Sequence, residues 1–265
     1  MKKVFIGVGH GGSDSGATSD GYKESNMNLE MALACKEELE RHGVEVKISR
    51  VTDENDPLSE EIREANSFNP DLAIDIHNNS GGGDGFEIFY YSGGGTSKVL
   101  AQNIEEQVKL MGQNSRGLKT KLNSNGKDYF GFIREIKAPS VIAEGVFIDN
   151  KTDMGIANTK EKQRKFGVAY AKGILKTLGI SYIEPNKPEE TVQKYAVLIN
   201  LYGDIIKAKG VACMLEHEDG LYCEVIPLDY KYAIKIYPLS PLSKAERIQK
   251  FVKEKYDAYS DIIKL

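Results

Sequence analysis

Apolar and polar positions alternate in blocks along the first 180 residues of this chain. Short apolar runs at 3–8, 45–51, 71–76, 85–91 and 140–147 predict β-strands; amphipathic stretches at 26–42, 57–66, 97–111 and 160–178 predict helices. In the first helix Leu29, Ala32, Leu33, Lys36 and Leu39 keep the three-to-four spacing of a core-facing stripe, with Lys36 the polar exception. Strands alternating with helices predict crossover connections. The fold class that follows is α/β: a mostly parallel or mixed sheet with helices on both faces.

The pattern changes near residue 181. SYIEPNKPEET, residues 181–191, holds two prolines among polar residues and reads as a linker. Beyond it, residues 192–265 predict a small α+β domain: strands at 194–202, 210–217, 221–228 and 232–237, then a helix at 243–262 opened by a Ser243…Glu246 capping-box spacing. Asp219-Gly220 predicts a two-residue hairpin turn, which would set Cys223 opposite Glu216 and Cys213 opposite Ile226. Cys35, Cys213 and Cys223 are too scattered for a disulfide framework, and all three are expected to be buried. Six tyrosines of this region (Tyr195, Tyr202, Tyr222, Tyr230, Tyr232, Tyr237) are expected mostly in its core, with stacking on sugars as the alternative.

Charge and hydropathy narrow the partners. With 35 basic against 39 acidic side chains the net charge is −4, which lacks the basic excess of a general nucleic-acid binder. No apolar run approaches the roughly 18 residues of a membrane span. The N-terminal MKKVFIGVGH reads as a first strand rather than a signal peptide, so synthesis in the cytoplasm without a secretion tag is expected.

Chemistry concentrates at four positions. His10 in VFIGVGHGG and His77 in DLAIDIHNN follow apolar runs, Glu144 stands in SVIAEGVF, and Glu24 in GYKESNMNLEMA opens a helical pattern. In α/β sheets, sites form beyond the carboxyl ends of the strands, which groups these residues. Two His and one Glu are a common zinc-ligand set, and a further Glu is the proton carrier that zinc hydrolysis needs. Glu144 sits in apolar company, where a carboxylate without a partner is costly or takes up a proton. GVGHGG also satisfies G-x-G-x-x-G, but the polar loop SDSGATSDGYKE intervenes before any helix, so no helix N-terminus meets a pyrophosphate.

Four motifs in order, GHGGSDSGA, YKESNMNLEMA, ISRVTDENDPLSEEIREAN leading into DLAIDIHNN, and APSVIAEGVFIDNKTD, resemble the zinc-dependent N-acetylmuramoyl-L-alanine amidases of the amidase-3 type. The resemblance spans residues 1–180. It implies one zinc ion held by His10, Glu24 and His77, catalysis by Glu144, and peptidoglycan as substrate, cleaved between the lactyl group of N-acetylmuramic acid and L-alanine. Asp75 stands where the family usually has Ser, and Val146 next to the usual Gly-Phe. Only local packing changes are expected from either. Asn78, Asn79 and Asn150 are candidate substrate contacts, and Tyr129 and Phe130 could line the groove or the core. A small C-terminal module without a signal peptide resembles clostridial phage endolysins, which act at the wall after release. Residues 192–265 are then expected to bind wall polymer or to pair two chains. A wall-binding protein without catalysis, and zinc chemistry on another amide as a peptidase or deacetylase, are the alternatives.

Overall fold

A computed structural model describes residues 1–184, 195–201, 205–217, 222–228, 231–239, 242–256 and 260–264. The chain divides into two compact units, Met1–Ile183 and Glu184–Leu265.

The first unit runs β1 (Lys3–Val8), β2 (Thr18–Ser19), β3 (Tyr22–Lys23), α1 (Glu24–Arg41), β4 (Glu45–Ile48), α2 (Leu58–Phe68), β5 (Leu72–Asn79), β6 (Phe86–Tyr90), α3 (Gly95–Leu110), β7 (Ser115–Lys119), α4 (Gly131–Glu135), β8 (Ser140–Phe147), α5 (Lys151–Ala157) and α6 (Lys160–Leu178). Six strands form one sheet in the order β4-β1-β5-β8-β6-β7. All neighbours are parallel except β6 against β8, so the sheet is mixed, as the sequence pattern predicts.

Because strand side chains alternate between faces, the sheet carries two different surfaces. One face, with Val4, Ile6, Ile74, Ile76, Ile88, Val141 and Ala143, is apolar along its length and packs under α1, α3 and α6. The other begins apolar, with Phe5, Ala73 and Ile142 against Phe132 and Ile133 of α4 and Ala65 of α2. Further along the same strands it turns polar, because Gly7, Asp75, His77 and Glu144 share the parity of those apolar residues. The chemistry therefore sits on the face with the smaller apolar core, towards the carboxyl ends of β1, β5 and β8.

Several elements depart from the sequence pattern. The buried stripe of α1 runs through Met27, Met31, Ala34, Cys35 and Glu38, while Leu29, Leu33 and Lys36 are only half-buried. Strand β5 continues through His77 to Asn79. The short elements β7, α4 and α5 carry too few residues for a period to register. Tyr182 and Ile183, inside the predicted linker, dock on α1: Tyr182 stacks on His42 with ring centroids 4.9 Å apart, and Arg41 donates to the Ile183 carbonyl at 2.5 Å. Residues 185–191 of that linker lie outside the described residues.

The second unit runs β9 (Tyr195–Leu201), α7 (Ile205–His217), β10 (Tyr222–Leu228), β11 (Lys231–Leu239), α8 (Leu242–Tyr256) and β12 (Ser260–Lys264). Its antiparallel sheet has the order β10-β11-β9-β12, a split β-α-β arrangement. Val197, Ile199, Ile234 and Ile236 pack against Ala212 and Leu215 of α7 and Ala245 and Val252 of α8. Two expectations are corrected here. Residues 210–217, predicted as a strand, belong to helix α7, so they cannot pair with β10 as a hairpin partner. The closing helix stops at Tyr256, and the last strand, β12, takes the apolar residues Ile262 and Ile263. Asp219 and Gly220 lie outside the described residues. Cys223 is instead paired with Ile236, and its N–H donates to Glu216 at 3.2 Å. Cys35 is buried as expected, whereas Cys213 is exposed on α7 and Cys223 half-buried. Of the six tyrosine side chains only Tyr232 is described, and it is half-buried.

Candidate metal centre

His10, Glu24 and His77 converge. Each offers one ligand atom, and those atoms all lie within 4.8 Å of one another. The hub is Glu24 in the first turn of α1, whose Oε1 is 3.3 Å from His10 Nε2 and 3.2 Å from His77 Nδ1. His10 sits beyond the end of β1 with φ at +63°, a left-handed backbone that is uncommon outside glycine and turns its ring towards α1.

Small residues make the space. A methyl group on Gly9 would fall inside the His77 ring, and one on Gly7 would collide with Glu61, Asp75 and Phe132. Gly7 and Gly9 of the G-x-G-x-x-G match thus seat a carboxylate and an imidazole from β5, while Gly12 abuts Asn55. Behind the centre, buried polar groups hold Glu24 in place: the Ala17 and Asn78 N–H groups donate to it, as does Asn28 Nδ2 at 3.5 Å. Arg50, buried, ties the end of β1 to the start of α1 by donating to the Val8, Gly9 and Ser25 carbonyls.

The charges in the cluster are coupled. Burial works against ionised Glu24, but hydrogen bonds from His10 and His77 hold its carboxyl well below the usual carboxylate range. The hydrogen bond to Glu24 raises His10 above its ordinary value. Burial opposes the charge on His77, yet Asp75 and Glu24 hold it well above that value. The ring nitrogens that face Glu24, together with its carboxylate oxygen, form a donor set that fits zinc.

Glu144 lies beside His77 as its register partner on β8, and its Oε2 has no hydrogen-bond partner. Burial pushes its carboxyl up to about 7. On its other side it pairs in register with Glu87 of β6, which Arg116 and Lys119 of β7 neutralise. Glu144, His10, His77 and Asp75 line a cleft of about 710 Å³, together with apolar Pro57, Leu58, Phe130, Phe132 and Ile142. Phe130 thus lines the groove while packing on Phe89, and Tyr129 is half-exposed beside Lys121.

The expected asparagine contacts come out differently. Asn78 points to the opposite face from His77, is 3% exposed, and spends its amide on Asn28 and the Val146 N–H. Asn150 caps α5 by accepting from Thr152 and Asp153 and donates to the Gly83 carbonyl. Asn79 shares the His77 face but is committed to Glu87 and the Ser80 N–H. Two partners escaped the sequence reading. Asp14 Oδ2 meets His10 Nδ1 at 2.8 Å, and Asp75 Oδ2 meets His77 Nε2 at 3.2 Å. The signal for the second was present in D-I-H, since residues two apart on a strand share a face.

A mixed α/β sheet that gathers a His-Glu-His donor set and an unpartnered carboxylate in one cleft has the parts of a metal-assisted hydrolase. Residues 4–176 match the family model for N-acetylmuramoyl-L-alanine amidase, amidase-3 type, and the chain belongs to that family. The family reaction is hydrolysis of the amide between N-acetylmuramic acid and L-alanine, as the four sequence motifs imply. N-acetylmuramoyl-L-alanine amidase CwlM of Bacillus licheniformis is 34% identical over 185 residues, 68% of this chain and 70% of CwlM. The endolysin of Bacillus phage SPP1 is 32% identical over 188 residues, 68% of this chain and 67% of that protein. Among solved structures, Cwp6 from Clostridium difficile matches with a TM-score of 0.66 and 40% identity, over 67% of this chain and 29% of the Cwp6 chain.

Two outcomes follow from this geometry. Gly9→Ala is expected to leave the circular dichroism spectrum unchanged and to abolish stoichiometric zinc, read by elemental analysis, because the methyl displaces the His77 ring. Metal affinity is expected to fall as pH falls, since Glu24 raises the proton affinity of His10, Asp75 and Glu24 raise that of His77, and protons compete with an ion for the ring nitrogens. Zinc titrations from pH 6 to 8, about the ordinary His range, measure that slope.

Proposed function

We propose that the chain is a zinc-dependent peptidoglycan amidase in which His10, Glu24 and His77 hold the ion and Glu144 moves the proton. The observation that carries this reading is the convergence of two imidazoles on one buried carboxylate oxygen, three donors in all, beside Glu144, whose Oε2 has no hydrogen-bond partner. Zinc, when bound, supplies Lewis acidity towards the amide carbonyl and towards water. Glu144, in its ionised form, accepts a proton from the attacking water and returns it to the nitrogen of the departing L-alanine. Burial raises this carboxyl to about 7, so both forms are accessible near neutral pH and one group can serve as base and then as acid. Pro57, Leu58, Phe130 and Ile142 limit solvent around the reacting atoms. Asp14 and Asp75 each engage the ring nitrogen of a His that faces away from Glu24.

Glu144→Gln is expected to retain one zinc per chain and to lose about 10²- to 10⁴-fold in turnover. Digestion of purified peptidoglycan should release new N-terminal alanine, blocked by a chelator and restored by zinc, without new reducing sugar ends. Reducing ends alone, or full activity in zinc-bearing Glu144→Gln, would refute the assignment.

The second unit, with its own core, is proposed to tether the enzyme to wall polymer, with pairing of two chains as the other outcome of its test. Placed after an amidase domain similar to those of wall amidases and an endolysin, it would keep the enzyme at its insoluble substrate once released there. A chain ending at residue 184 is expected to cleave soluble muropeptides like the full chain but to sediment poorly with cell walls. Unchanged sedimentation together with loss of a dimer in light scattering would assign the unit to pairing instead.

A further inference from the structure

Both imidazoles of the cluster carry a carboxylate on the ring nitrogen facing away from Glu24, but the two carboxylates are not equivalent. The Asp14 side chain is 69% exposed, whereas that of Asp75 is 6% exposed. An exposed partner is screened by solvent, and a buried one acts at close to full strength. Asp75 is also fixed from behind. Its Oδ1 has no hydrogen-bond partner and, with Glu61 Oε1, crowds the space that a side chain on Gly7 would fill. That Oδ1 is out of reach of solvent, and the other oxygen, Oδ2, meets the His77 ring.

We propose that Asp75 is a positioning residue: by accepting from His77 Nε2 it fixes the ring with Nδ1 aimed at Glu24, and so sets how tightly the ion is held. This rests on the zinc reading above. The physical basis is general. A histidine ligand whose far N–H is held by a carboxylate has a fixed tautomer, a fixed orientation and a more basic donor nitrogen. The residue two positions before the ligand on β5 does this because both project from the same face of the strand. The glycine at position 7 of β1 is the matching concession, since any side chain there would displace Asp75.

The test uses the full-length protein and zinc competition against a calibrated chelator. Asp75→Asn, and Asp75→Ser as a smaller neutral variant, are expected to weaken zinc binding about 10- to 100-fold. The metal-free forms should keep the wild-type circular dichroism spectrum, although loss of the Asp75–His77 hydrogen bond lowers their melting temperature. Glu61→Gln, which neutralises the neighbouring carboxyl without touching His77, is expected to leave zinc affinity unchanged. In zinc-loaded wild type labelled with ¹⁵N-histidine, the His77 Nε2–H signal should be downfield and slow to exchange, and it should move upfield in Asp75→Asn. Wild-type zinc affinity in both Asp75 variants overturns the positioning role and leaves the zinc reading intact. Weaker binding accompanied by a changed circular dichroism spectrum of the metal-free variants, or equal weakening in Glu61→Gln, also overturns it. A wild-type chain that binds no stoichiometric zinc overturns the zinc reading itself.

Discussion

A buried carboxylate shared by two imidazoles is the interaction on which the catalytic half of this chain depends. Glu24 brings together a residue from the loop after β1 and one from the end of β5, and it does so from the first turn of α1. A carboxylate there benefits from the positive end of the helix dipole as well as from the rings. Its remaining hydrogen-bonding capacity is met by backbone N–H groups and by Asn28, so the charge is buried without being left unsolvated. Arg50 serves the same junction from the other side, satisfying the carbonyls where β1 ends and α1 begins.

The sheet makes this affordable by dividing labour between its faces. Ile74 and Ile76 of β5 look into the larger core, while Asp75 and His77 look the other way. Helices α1, α3 and α6 cover the first face, and the short α4 with α2 covers the start of the second. Where that second cover ends, the cleft begins. Glycines at positions 7 and 9 of the chain lower the floor of β1 so that the side chains of β5 can lie across it.

Much of this was readable before any coordinates. The long periodic segments announced the sheet and its helices, and His10, Glu24, His77 and Glu144 stood out because polar chemistry interrupted apolar strands. What escaped has physical reasons. The run GVACML is as apolar as a strand but lies within a thirteen-residue helix, an ambiguity that short apolar runs always carry. Of the asparagines expected to contact substrate, strand alternation sends Asn78 into the core, Glu87 engages Asn79, and the start of α5 engages Asn150. Asp75 reads in the sequence as a packing change, because its partner, a ring nitrogen two residues on, is defined by side-chain direction rather than by residue type.

The row His77–Glu144–Glu87 across β5, β8 and β6 joins three strands of which one runs against the others. A slip of one residue in β8 would carry Glu144 to the opposite face, into the packing of Ile76, Ile88 and Tyr170, and would bring Ala143 or Gly145 to the cleft. Such a misfold would bury an unpaired charge and lose the site at once. Strand register in this domain therefore decides which side of the sheet the acid faces: the observed alignment sets Glu144 on the cleft face beside His77 and not in the larger core.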